Sequence, residues 1–224
     1  MIAQAEGVAP ETTINRAVAY PLTYLFVLGG YLIAAHADRS PARFLSLTAV
    51  DRAVPFLPWT GWIYVTVFPF PLLAAAFVRD DRGIRAMLAA FIAAAAVCLA
   101  VFLACPTGYP RPELAGGGLA AWPLEMIYRL DLPRNCLPSE HVTTAFLTAF
   151  AVRQSRPKLG AALMFWAAVI SVSTLTTKQH YFWDVAAGVL LATGAYGAAR
   201  LYFAAPEPEA ALDLSGRAPK PEEI

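Results

Sequence analysis

The stretch of sequence at residues 86–104 reads AMLAAFIAAAAVCLAVFLA and contains no charged side chain. A helix needs about 20 largely apolar residues to cross a bilayer, so this stretch predicts a transmembrane helix. Residues 59–78 and 159–177 meet the same condition clearly, and residues 20–36 form a good fourth candidate. The chain is therefore expected to cross a membrane several times.

Two weaker candidates complete the predicted bundle. Residues 139–152 are short because their helix begins inside a motif, and residues 181–203 carry Asp184 near one end. Residues 37–58 mix charged and apolar side chains and contain two prolines, which favours an interfacial helix over a continuous span. We predict an all-α fold: a polytopic six-helix transmembrane bundle with an interfacial helix between spans one and two.

Composition agrees with a membrane protein and excludes one class of function. Hydrophobic residues make up 58% of the chain, charged residues only 15%, and the mean hydropathy is +0.52. The net charge of +1 and the lack of a basic stripe give no indication of nucleic-acid binding. We expect one membrane domain at residues 20–204, between a polar N-terminal segment at 1–19 and a disordered tail at 205–224, which is rich in Pro, Glu and Ala.

The first chemical motif, at residues 136–141, reads CLPSEH and opens a predicted helix. The first amides of a helix lack helical partners and form an anion site together with the helix dipole. Ser139 can donate its hydroxyl to a phosphate there, and His141 can exchange a proton with a phosphoester oxygen. The simpler alternative is that Pro138 and Ser139 only begin and cap the helix.

The second motif, at residues 178–184, reads KQHYFWD. His180 and Asp184 are four positions apart and would share one helix face, so the carboxylate can accept the Nδ1 proton and leave Nε2 free to attack. Ionisable residues in spans are functional candidates by default, although the pair could instead lock two helices together. We expect no metal, since no third carboxylate, Cys or His cluster accompanies the pair at ligand spacing. The residues between the two histidines form one helical hairpin, which returns both to the same membrane face.

These two motifs and the layout of residues 20–203 resemble the integral-membrane type 2 phosphatidic acid phosphatase superfamily and its lipid phosphotransferases. The resemblance implies six spans, an active site on the outer face, and no metal or cofactor. It also implies that His180 is the nucleophile, forming a phosphohistidine, and that Asp184 orients it. By the same likeness His141 protonates the leaving oxygen and later activates the acceptor, while Ser139 binds phosphate.

The chain departs from the phosphatase pattern at two cations. Ala104 stands where the family has a Lys seven residues before the Arg-Pro pair, and Thr174 stands where it has an Arg before the nucleophilic His. A phosphoryl transition state needs positive donors around its oxygens, so other residues must supply them. The candidate phosphate-binding cations are Arg111, Lys178 and Arg134. With these losses the motifs are nearest to the inositol phosphorylceramide synthase and sphingomyelin synthase branch, which moves a phospho-alcohol head group between lipids.

Six spans place both chain termini on one side, together with ten of the 17 Lys and Arg residues. The positive-inside rule then predicts cytoplasmic termini, with the active site on the extracytoplasmic face of a bacterial inner (plasma) membrane. Cys105 and Cys136 would both lie on that oxidising face and could form a disulfide.

We therefore expect a membrane enzyme that acts on a phospholipid or other lipid phosphate, with a lipid alcohol as a further partner. Two alternatives stay open. One is a lipid phosphomonoester or pyrophosphate phosphatase with water as sole acceptor. The other is a small polytopic transporter that uses the His/Asp pair as a proton relay, which would need ionisable residues spread across the membrane depth. An intramembrane serine protease is a weaker rival, because the chain lacks a Gly-x-Ser-Gly nucleophile motif.

Overall fold

The computed structural model of the chain describes residues 14–37, 41–114 and 118–204. The predicted tail at 205–224 and most of the predicted N-terminal segment lie outside these residues. Two 3₁₀ turns, at Pro58–Thr60 and Val65–Val67, accompany the regular elements. In chain order these are α1 (Arg16–His36), β1 (Arg43–Phe44), α2 (Ala49–Ala53), α3 (Gly61–Tyr64), α4 (Pro71–Phe77), α5 (Asp81–Ala104), β2 (Thr107–Gly108), α6 (Gly118–Leu130), α7 (Glu140–Ser155), α8 (Pro157–Thr176) and α9 (Phe182–Ala204).

Five helical segments within the described residues are long and apolar enough to cross a membrane. They are Arg16–His36, Pro58–Phe77, Asp81–Ala104, Pro157–Thr176 and Phe182–Ala204, and each overlaps a predicted span. The second segment is not one α-helix, because it passes through both 3₁₀ turns and α3 before ending in α4. Prolines within it remove amide donors from the helical hydrogen-bond ladder and break the helix. The mostly helical fold and the five spans support an integral membrane protein.

The sixth predicted span, α7, is the shortest of the set at 16 residues. At 1.5 Å per residue it extends about 24 Å, less than the roughly 30 Å of bilayer hydrocarbon. It nevertheless lies at the centre of the bundle, where it packs against α4, α5, α8 and α9. Most of its side chains are buried on all sides. The count of six spans therefore stays a prediction.

Small residues set how closely the helices around α7 approach one another. A Cβ at Gly188 of α9 would lie 2.7 Å from the Ser139 carbonyl oxygen, and one at Gly160 of α8 would lie 2.3 Å from Arg153 Cα. The hydroxyl of Thr143 donates to the Gly188 carbonyl across the same α7–α9 contact. Because glycine lacks a Cβ, the start of α7 and the start of α9 come together.

The connections at the histidine end differ from the sequence-based expectation. Of the described residues between α1 and the first 3₁₀ turn, only the five of α2 are helical, so the predicted interfacial helix stays a prediction. Strand β1 pairs in parallel with β2, and Thr107 of β2 forms a further bridge to Asn135. Helix α6 was not predicted at all. It buries Leu124 and Ile127 against Tyr64 of α3.

Candidate active site

The α7–α8 hairpin brings the two predicted histidines into direct proximity. His141 is the second residue of α7, and His180 lies in the turn just before α9. His141 Nδ1 is 3.5 Å from His180 Nε2, and the ring centroids are 5.6 Å apart. His180 is buried. A reacting phosphorus atom bound beside His180 Nε2 would therefore lie within reach of His141.

The surroundings of His180 fix its tautomer. Its Nδ1 is 3.0 Å from the Cys136 carbonyl oxygen, which can only accept, so Nδ1 carries the proton and Nε2 keeps its lone pair. The Asp184 carboxylate lies further away, 3.4 Å from Nδ1. Its Oδ2 accepts from the Tyr181 amide at 2.8 Å. His180 Nδ1 thus donates its hydrogen bond to the Cys136 carbonyl and not, as was expected, to the Asp184 carboxylate. The reason is that His180 lies before α9 and not on the helix face that carries Asp184.

His141 is held by a residue that no sequence motif indicates. The Tyr64 hydroxyl lies 2.8 Å from His141 Nε2, and Tyr64 is almost fully buried on α3. The same hydroxyl is 3.3 Å from His141 Nδ1, the ring nitrogen that faces His180. No motif surrounds Tyr64, so only the fold shows its position beside the histidine.

Ser139 occupies the N-cap position of α7. Its hydroxyl accepts weakly from the Val142 amide at 3.4 Å, and its own amide donates to the Asp184 carbonyl at 3.0 Å. The side chain is fully buried. In this arrangement Ser139 acts as the helix cap that the simpler alternative describes, and its role in phosphate binding stays a prediction.

Two of the three predicted cations line a small polar pocket with His180. The lining of this polar pocket includes Tyr31, Tyr64, Arg111, Asp131, Arg134, Asn135, Gln179 and His180. Arg111 donates to the Asp131 carbonyl at 2.6 Å and to Gln179 Oε1 at 2.9 Å. The guanidinium also stacks on the Tyr128 ring, 4.7 Å from its centroid. These contacts hold a positive charge in the pocket that His180 also lines.

The carboxylate of Asp131 partly neutralises the positive charge of Arg111. It accepts from the Tyr31 hydroxyl at 2.7 Å and pairs with Arg111 at 3.5 Å. Burial raises the pKa of Asp131, while the hydrogen bond from Tyr31 and the charge of Arg111 act in the opposite direction. Neither Tyr31 nor Asp131 was singled out from the sequence.

The third predicted cation, Lys178, is directed elsewhere. Its ammonium donates to the carbonyls of Asp51 and Val54 at 2.9 and 2.7 Å, at the end of α2. Burial lowers the pKa of Lys178 more than the charge of Asp51 raises it. A helix end leaves carbonyls without helical donors, and these carbonyls bind the ammonium. Lys178 does not line the polar pocket, and it anchors α2 to the turn that carries His180.

A larger apolar cavity lies on the His141 side of the pair. It has a volume of about 450 Å³ and is bounded by α1, the broken second span, α6 and the first turn of α7. Its apolar walls include Leu28, Phe68, Met126 and Ile127, and its inner end carries Glu140 and His141. Tyr31, Tyr64 and Asp131 line both this cavity and the polar pocket. The two histidines therefore lie between a polar and an apolar compartment.

One group of side chains could hold a metal ion. The ligand atoms of Cys136, His180 and Asp184 lie within 4.8 Å of one another, and all three residues are buried. No ligand spacing in the sequence marks this group, because Cys136 is distant from the other two residues in the chain. The set supplies three of the four ligands that a zinc site usually has.

The three cysteines are free, so the disulfide considered between Cys105 and Cys136 is not present in the structure. Cys136 Sγ instead donates to the Gln179 carbonyl oxygen at 3.4 Å. Burial, followed by the carboxylates of Asp184 and Asp131, raises the pKa of Cys136 well above its usual value.

Residues 85–206 match the family model of the PAP2 superfamily. The chain belongs to the PAP2 superfamily. Searches among curated proteins and among solved structures return no significant match. The superfamily resemblance inferred from the two motifs is thereby confirmed, whereas the inositol phosphorylceramide synthase-like branch stays an interpretation of motif form.

PAP2 membership indicates a phosphatase or phosphotransferase that acts on phosphate esters. The matched range runs from α5 through α9 and contains Arg111, both histidines and Asp184. Helices α1 and α3, which supply Tyr31 and Tyr64, lie outside it. One wall of the apolar cavity is thus formed by residues outside the PAP2 match.

Proposed function

We propose that the protein cleaves a lipid phosphoester through a phosphohistidine intermediate on His180 and passes the phosphoryl group, or a phospho-head group, to an acceptor. The observation that supports this most directly is the His141–His180 pair, 3.5 Å apart between a polar and an apolar compartment. The polar pocket supplies cations, and the apolar cavity has the size and the walls that suit a hydrocarbon chain. PAP2 membership supports the same class of reaction.

In the first half-reaction, His180 Nε2 attacks phosphorus and the bond to the ester oxygen breaks. The Cys136 carbonyl holds the Nδ1 proton, and the nearby Asp184 carboxylate stabilises the positive charge that develops on the ring. His141, whose Nε2 contacts the Tyr64 hydroxyl, gives the proton on its Nδ1 to the leaving oxygen. In the second half-reaction His141 Nδ1 takes the acceptor's proton, the acceptor oxygen bonds to phosphorus, and the P–N bond breaks.

The cations of the site favour a phosphodiester donor. Arg111 and Arg134 line the polar pocket, whereas Ala104 and Thr174 replace two cations of the phosphatase pattern. A terminal phosphomonoester can carry two negative charges and a diester carries one, so fewer cations suffice for a diester. This balance supports transfer of a phospho-head group, or diester hydrolysis, over simple monoester hydrolysis. Hydrolysis with water as the sole acceptor is the alternative.

The distribution of buried charge favours this enzyme over a transporter. The buried charged or ionisable side chains in the described residues include Asp51, Glu140, His180 and Asp184, all at the histidine end of the bundle. A proton relay would need such groups at successive depths. We further propose that this end faces away from the cytoplasm and that the reaction needs no metal.

Product analysis tests the proposed function. The purified protein is given a phospholipid donor labelled in its head group, with and without diacylglycerol or ceramide, and with and without a chelator. We expect a labelled lipid product that depends on the acceptor and survives chelation. Rapid phosphate release from phosphatidic acid, with no labelled lipid under any acceptor, would refute transfer. Strict dependence on added metal would instead point to the Cys136, His180 and Asp184 group as a metal site.

A further inference from the structure

Glu140 is a polar residue in an unusual place. It is the first residue of α7, directly before His141, and its side chain is only 7% exposed. Its Oε2 atom has no hydrogen-bond partner among the described residues. Glu140 also lines the apolar cavity at its inner end. A buried carboxyl oxygen without a donor costs free energy, so the site is completed when something brings a donor to it.

The other carboxylate of this cavity is already occupied. Asp131 accepts from Tyr31 and pairs with Arg111. Among the described residues, Glu140 is thus the carboxyl group lining this cavity that still has an oxygen without a donor, and the remaining walls are largely aliphatic and aromatic. A ligand that fits carries a hydrocarbon chain along the walls and a hydrogen-bond donor at one end. A volume of about 450 Å³ is within the usual range for a small-molecule site.

We infer that the apolar cavity is the acceptor site, in which the hydroxyl of a lipid alcohol donates to Glu140 beside His141. The inference rests on the proposed function, and it names the residue that positions the acceptor hydroxyl, while the apolar walls favour a lipid alcohol over water. As the new O–P bond forms, the hydroxyl hydrogen leaves its hydrogen bond with Glu140 and passes to His141 Nδ1, and the P–N bond to His180 breaks with its electron pair returning to Nε2. Glu140 positions the hydroxyl and is not itself consumed.

Binding tests this site without any need for turnover. The probe is a diacylglycerol with a photoreactive diazirine in one acyl chain, added to the full-length protein in detergent. The two competitors are unlabelled diacylglycerol and its methyl ether, which has the same chains but no hydroxyl proton. The wild-type protein should prefer the free alcohol by about tenfold, as expected for one hydrogen bond to a carboxyl group.

Substitutions at position 140 test whether Glu140 causes the preference for the free alcohol over its methyl ether. Glu140→Leu keeps the size of the side chain and should abolish the difference between the competitors, whereas Glu140→Gln keeps an acceptor oxygen and should retain most of it. Glu125→Leu on α6 removes the same charge away from the cavity and should behave as wild type. An undiminished preference in Glu140→Leu would overturn the inference.

Turnover provides the second measurement. With a labelled phospholipid donor and diacylglycerol, the ratio of transfer to hydrolysis should fall about tenfold in Glu140→Leu. An equal loss of both products would assign Glu140 a general structural role and overturn the inference. A wild-type protein that cleaves no phospholipid yet prefers the free alcohol would overturn the proposed function, and Glu140 would remain a hydroxyl-binding group.

Discussion

His180 and His141 have different surroundings, and these suit them to different tasks. His180 is fixed by a backbone carbonyl that can only accept, so its free nitrogen is always Nε2. His141 is held by the Tyr64 hydroxyl, which can donate or accept, so its Nδ1 can gain and lose a proton. A nucleophile needs a fixed lone pair, and an acid–base group needs both protonation states.

Substituting each histidine separates these roles. We expect His180→Ala to lower turnover by at least about a thousandfold, because no phosphohistidine can form. His141→Asn should also lose turnover but accumulate phosphorylated protein when the leaving group is a weak base. The measurement is acid-labile labelling with a phosphorus-32 donor. Full activity of His180→Ala would contradict the mechanism, and His36→Ala, at the end of α1, is the matched control.

At the residue scale, the functional residues that could be predicted are those that lie within a short sequence motif. His141, His180 and Asp184 follow from short patterns, and the hairpin between them follows from its apolar runs. Tyr64 contacts His141, and Asp131 lines a pocket with His180, only through tertiary structure, and no spacing within the chain marks either residue. Lys178 was selected by its charge, but the carbonyls of α2 determine where its ammonium lies.

Among the elements, α2 is short but is connected directly to the turn that carries His180. Asp51 accepts from the Thr48 amide and hydroxyl at 2.7 Å each and from the Phe182 amide at 2.8 Å. Burial alone would raise the pKa of Asp51, but these hydrogen bonds and the nearby Lys178 charge lower it below 3.8. The carboxylate thus joins α2 to the start of α9.

This pairing predicts a pH-dependent effect of Asp51→Asn on stability. A group whose folded pKa is lowered stabilises the fold above its unfolded pKa, and that stability is lost as pH falls through the folded value. At neutral pH we expect the substitution to lower Tm by about 2–4 °C, the effect of about 1 kcal/mol in a chain of this length. Below pH 3.8 the difference from wild type should shrink.

Thermal unfolding of both proteins in detergent across pH checks this expectation. Glu125→Gln on α6 is the control and should leave Tm unchanged at every pH. A difference between wild type and Asp51→Asn that stays constant down to the lowest pH would show that the charge of Asp51 does not stabilise the fold.

The long elements could be predicted and the short ones could not. Five candidate spans could be predicted because the length and hydropathy of an apolar run can be read directly from the sequence. Helix α6 was missed because its apolar face is interrupted by Pro123 and charged residues, and it is stabilised by packing on Tyr64. The two-residue strands β1 and β2 are too short to show an alternating pattern.

For the whole molecule, the histidine end and the opposite end differ in charge. The opposite end carries several arginines in and beside its connections, including Arg79, Arg82, Arg153 and Arg156, and the positive-inside rule predicts that this end faces the cytoplasm. The orientation of the protein in the membrane depends on this charge difference and not on how its helices pack. The orientation is therefore predicted independently of the fold.

Cysteine labelling tests the orientation. Single cysteines at Ser46, exposed at the histidine end, and at Gln154, exposed at the opposite end, are introduced after the three native cysteines have been replaced. An impermeant thiol reagent added to intact cells should label position 46 and should reach position 154 only after lysis. Labelling of position 154 alone in intact cells would reverse the orientation.

The apolar cavity is bounded by α1 and α6, and both helices carry large exposed apolar side chains, among them Leu25, Ile33, Leu119 and Leu130. In a bilayer these faces meet lipid tails, so a chain in the cavity is continuous with the surrounding membrane and a substrate can arrive sideways without passing through water. For the proposed lipid substrate, we then expect the rate to depend on the mole fraction of that lipid in the membrane. Adding inert phospholipid at constant total substrate should slow the reaction, whereas diluting the whole vesicle suspension with buffer should leave the rate per protein molecule unchanged.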